Sequence, residues 1–112
     1  MQVRIRIYLK PMEVKMVVLR GGDPDRAEDK SLDALARRAS LSSAHLYNLM
    51  AGRVAMSWGA ADRLHSALRS YVWAGLPPSL RSDRKAAWGT LERLADFDRF
   101  FRLEKTGEEA KL

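Results

Sequence analysis

Ser42, Ser43, Ala44, Tyr47, Asn48 and Ala51 are small or able to hydrogen-bond, and they crowd into one short segment of the chain. Such residues on one helix suit a close approach to base edges in a DNA groove better than bulky charge does, and an Asn can bond adenine in a bidentate way. Around them stand Lys30, Ser31, Arg37, Arg38, His45 and Arg53, whose side chains can hold phosphate oxygens. The chemistry expected of the segment is therefore hydrogen bonding and charge pairing to double-stranded DNA, with no bond made or broken.

Two short helices must position these groups. Ser31 is a good N-cap for a helix whose Leu32, Leu35, Ala36 and Ala39 recur at three- and four-residue spacing and so share one buried face. Arg37 and Arg38 fall off that stripe. The run breaks at Ser40, Leu41 and Ser42: Leu41 plugs the angle between the helices, and Ser42 caps the next one. The second helix runs over 43–50, seamed by Leu46 and Leu49, and Gly52 ends it as a left-handed residue would. Residues 31–52 thus have the layout of a helix-turn-helix, whose second helix lies in the major groove.

Over 10–68 the chain resembles the phage-repressor and Cro family of DNA-binding proteins. Ala36 matches that family's small alanine at the closest helix approach, and Leu46 and Leu49 match its paired aliphatics. Two positions depart from the pattern: Ser40 replaces the turn glycine, so a side chain must accept an unfavourable backbone conformation, and Leu32 replaces a glutamine that helps hold a phosphate. That contact then falls to Ser31, Lys30 or Arg53. The resemblance implies a transcriptional regulator binding as a dimer to half-sites one helical turn apart, and a further helix over 54–68, capped by Ser57, that buries Trp58, Ala61, Leu64, Ala67 and Leu68. The expected fold is mainly α, lambda-repressor-like, with a short N-terminal strand and a C-terminal helical extension. Antitoxin-type autoregulators use the same domain, and the fold does not carry the role.

The bulk properties agree. The chain has 112 residues, no cysteine and a net charge of +6. Five of those six charges fall in residues 1–75, the part holding the motif, and such an excess draws phosphate through counterion release. Without cysteine, disulfides and thiolate metal sites are excluded, and a cytoplasmic setting is expected. No apolar run approaches the roughly 20 residues needed to span a bilayer, so no membrane partner is expected. Nor is an enzyme, a cofactor, a metal or a small-molecule substrate. His45 and His65 lie far apart without the carboxylates of a metal site, His65 reading as a surface residue; Ser42 and Ser43 lack a base and an orienting acid; and Gly21–Gly22 lacks the spacing and lysine of a phosphate loop.

The flanks complete the plan, with a DNA-binding unit over 1–75 and an extension over 76–112. Residues 2–10 alternate strictly, Val3, Ile5, Ile7 and Leu9 against Arg4, Arg6, Tyr8 and Lys10, as a half-buried strand does. Its partner is residues 71–73, a second strand, or another subunit. Pro11 opens a helix in which Val14, Val17, Val18 and Met16 pack on the motif, although the β-branched residues of 14–19 also admit a hairpin. Residues 21–29 read as a loop. Ser82 or Asp83 caps a long helix reaching Leu103, whose Trp88, Leu91, Phe97, Phe100 and Phe101 need cover. That face either folds back, joins a homodimer through this helix or the N-terminal strand, or makes the chain a helical protein-interaction module. Removing 79–112 is expected to leave a folded motif.

Overall fold

The computed structural model describes residues 3–20 and 31–107. It is mainly helical with one small sheet. Strand β1 (Val3–Leu9) leads into α1 (Pro11–Lys15), which continues as a wider π-helical turn over Met16–Arg20. Helices α2 (Leu32–Arg38), α3 (Ser43–Met50) and α4 (Trp58–Ala74) follow, then α5 (Pro78–Arg81), α6 (Arg84–Leu94), α7 (Phe97–Phe100) and β2 (Phe101–Gly107). The expected loop at 21–29 lies outside the described residues. Among them, no helix is long and apolar enough to cross a membrane.

Serines start the three central helices. The Oγ atoms of Ser31, Ser42 and Ser57 accept from the N–H groups of Ala34, His45 and Ala60, each at 3.1 Å. Each bond satisfies one of the donors that a helix start leaves open. Pro11 sits at the first position of α1, where its missing N–H costs nothing. The hairpin alternative for 14–19 is thereby set aside, and Val14, Val17 and Val18 are buried as expected. Met16 is not: it is 44% exposed.

Two expectations about the ends need correction. Asp83 does cap α6, its carboxylate accepting from the Ala86 N–H at 3.3 Å, but the helix stops at Leu94 instead of reaching Leu103. Residues 101–107 are extended and form a second strand, one of the partners open to β1. The two strands are antiparallel, with Leu9 opposite Phe101, Ile7 opposite Leu103 and Arg6 opposite Glu104. Residues 71–73 belong instead to α4, which runs six residues past the expected end at 68.

Among the described residues, a buried cluster runs from Ile7 to Phe101. It takes Ile7 and Leu9 from β1, Val14 and Val18 from the first helix, Leu35 and Ala36 from α2, and Leu46 and Leu49 from α3. Leu64, Leu68 and Tyr71 of α4 meet it, and so do Leu91, Ala95, Phe100 and Phe101 of the C-terminal third. The change at residue 75 is therefore a change of element and not a division of the core. Trp58, expected to be buried, is 53% exposed at the start of α4, its ring 6.1 Å from that of Phe97.

Candidate nucleic-acid interface

Helix α3 is divided lengthwise. Leu46, Leu49 and Met50 recur at three- and four-residue spacing and are buried, which fixes the helix on the core. The opposite side is open. Ser42, Ser43, Ala44, Tyr47, Asn48 and Ala51 are all exposed, Tyr47 by 51%. Ala44, Tyr47, Asn48 and Ala51 repeat at helical spacing and so form one face, with the Ser43 position beside it.

The turn before α3 is tight and strained at one residue. Ser40 has φ 56°, in the left-handed region where a side chain is costly, and the Leu41 N–H donates to the Ala36 carbonyl at 2.8 Å to close it. Leu41 is partly buried against the core, plugging the corner. Ala36 is 1% exposed beside it. A larger side chain at Ala36 would overpack this buried position. At the far end of α3, Gly52 has φ 72°, and its N–H donates to the Leu49 carbonyl at 3.1 Å.

The phosphate candidates are less uniform. Arg37, His45 and Arg53 are exposed, and among the described residues Arg37 and Arg53 form no ion pair. Arg38 is exposed too, but its guanidinium lies 5.0 Å from the centre of the Tyr71 ring, which ties it to the junction of α2 and α4. Ser31 is half-buried and its hydroxyl serves the α2 cap. Lys30 lies outside the described residues.

His65 does not sit as a surface residue. Its ring is partly buried, with Nε2 2.6 Å from the Ala95 carbonyl, which makes it the donor, and with the Phe97 and Phe101 rings edge-on at 5.6 and 6.2 Å. It holds the C-terminal segment against α4. Sequence reasoning also missed three cations. Arg63 donates from Nε to the Ala39 carbonyl at 3.0 Å, closing the end of α2, while Lys10 and Arg102 line a recess together with Met50, Ala51 and Gly52 at the end of α3. Arg63 could not have been found locally, since it lies on α4 and meets a carbonyl 24 residues away at the end of α2. Nor could Arg102, because its place depends on a strand pairing across almost the whole chain.

Among the described residues no group of three or more His, Cys, Asp or Glu side chains could hold a metal ion. Comparison with protein-family models, curated proteins and solved structures finds no match.

Proposed function

We propose that this chain binds double-stranded DNA sequence-specifically and regulates transcription, with a lambda-repressor-like fold of the phage-repressor or Cro type. The supporting observation is the division of α3. One side is locked by Leu46, Leu49 and Met50 against a capped neighbour helix, and the other presents Ser43, Ala44, Tyr47, Asn48 and Ala51 to solvent. A rigid helix with a small, polar open face is what groove entry requires.

In this reading Asn48 and Ser43 read bases, and Ser42, Ala44, Tyr47 and Ala51 fill the groove beside them. Arg37, Arg38, His45 and Arg53, with Lys30 and Ser31, grip phosphates and set the register. The protein acts as a homodimer on two half-sites and performs no catalysis. Selection from a random duplex library tests the proposal. Enrichment of one motif, with tighter binding to it than to scrambled duplex, is the expected result; equal retention of all sequences would overturn it.

A further inference from the structure

The pairing of β1 with β2 puts Arg6 opposite Glu104 and Tyr8 opposite Arg102, so these four side chains share the outer face of the ribbon. Arg4 belongs to the same face by alternation. The inner face buries Ile7, Leu9 and Phe101 only at the end nearest the core; Ile5 and Leu103, farther out, are 47% and 46% exposed. The ribbon therefore reaches beyond the helices. Its outer face is basic: Arg4, Arg6 and Arg102 are all exposed, and the one acid among the paired positions, Glu104, is bound to Arg102 at 2.7 Å.

Its root touches the end of the reading helix. The Arg102 guanidinium lies 4.8 Å from the centre of the Tyr8 ring and lines one recess with Lys10, Ala51 and Gly52. Met56, just beyond α3, bonds to the edge of β1, its N–H donating to the Ile7 carbonyl at 3.0 Å. The exposed end of α3 at residues 51–52 and the Arg102 end of the ribbon thus line one recess, and one backbone bond from Met56 ties the segment after α3 to β1.

We propose that the ribbon is a second DNA contact, in which Arg102 and then Arg6 hold the phosphates beside the groove that α3 occupies. The proposal rests on the DNA-binding reading and deepens it. Arg4 and Arg6 alternate on β1 and Arg102 stands diagonal to Arg6 on β2, spacings of roughly 7 Å in each case, which suit a repeating anion better than a single acidic ligand. The phosphodiester backbone is that anion. Such contacts add affinity without reading sequence.

The test compares the intact protein, Arg6→Ala/Arg102→Ala, Arg6→Lys/Arg102→Lys and Asn48→Ala on the selected duplex and on a scrambled one, over a range of salt. The alanine pair should weaken binding to both duplexes by a similar factor and lower the slope of log affinity against log salt by about 2 units. The lysine pair keeps the charges and should keep the slope, which separates charge from misfolding. Unchanged affinity in the alanine pair, loss confined to the selected duplex, or an equal loss in the lysine pair would each overturn the ribbon contact. An intact protein that binds neither duplex would instead overturn the DNA-binding reading itself, so the two failures are distinct.

Discussion

Ser40 occupies a backbone conformation, φ 56°, that most side chains avoid. A non-glycine there costs on the order of 1–3 kcal/mol, while a glycine forfeits about 0.4–1 kcal/mol through its freer unfolded chain. Relief of strain wins, so Ser40→Gly should raise stability by about 1 kcal/mol, read as a higher urea midpoint at unchanged slope; a lower midpoint would show that the hydroxyl has a role in the turn. Asn48 is the opposite kind of residue, one whose proposed role lies outside the fold. It is exposed on α3, and its replacement removes no buried contact. Asn48→Ala should leave the melting temperature unchanged and cost about 1–3 kcal/mol on the preferred duplex with little effect on random DNA. Equal weakening on both would remove Asn48 from base reading. Both positions were legible in the sequence, because a turn residue and an exposed helix residue are defined by neighbours a few places away.

At the scale of elements, the proposed close approach of α2 to α3 turns on Ala36, 1% exposed below the closed turn. Ala36→Leu should overpack it at a cost of about 1–3 kcal/mol, with DNA affinity falling in parallel as α3 tilts. Unchanged melting temperature and affinity would remove the helix-turn-helix packing. The α2–α3 pair and the start of α4 could be read in advance for a physical reason: each begins at a serine that caps it and carries apolar residues at local spacing. The C-terminal segment could not. Phe97, Phe100 and Phe101 stand at three- and four-residue spacing, so the helical period continues past Leu94, where the helix stops. Asp96, ahead of α7, was the weak local sign of a new start. The strand after it is specified by pairing with β1, and long-range pairing leaves little local trace. The ribbon proposed as a second contact was hidden for the same reason.

The whole molecule explains why the aromatic third is there. Leu91, Ala95, Phe100 and Phe101 are buried in the core that the motif shares, and Phe97 is half-buried against it. Of the apolar surface that a dimer contact on the C-terminal helix would have used, Trp88 stays open, at 53%. The homodimer proposal then rests mainly on half-site geometry, since one α3 covers one half-site. Sedimentation at micromolar concentration should show two chains per operator duplex; one chain per duplex would end that proposal. Because the segment folds back, we propose that residues 79–112 are required, against the expectation that they are dispensable. Deleting them strips Phe100 and Phe101, 0% and 2% exposed, and removes the partner of β1. Truncating a buried Phe costs about 3–5 kcal/mol, and the two losses together match the roughly 5–15 kcal/mol of a whole small domain. A 1–78 fragment should therefore show no cooperative thermal transition by circular dichroism. Phe100→Ala in the full chain, with one loss in place of two, should melt cooperatively at a lower temperature. A cooperative melt of the fragment would mean that α1 to α4 close a core of their own, and that β2 serves the ribbon alone.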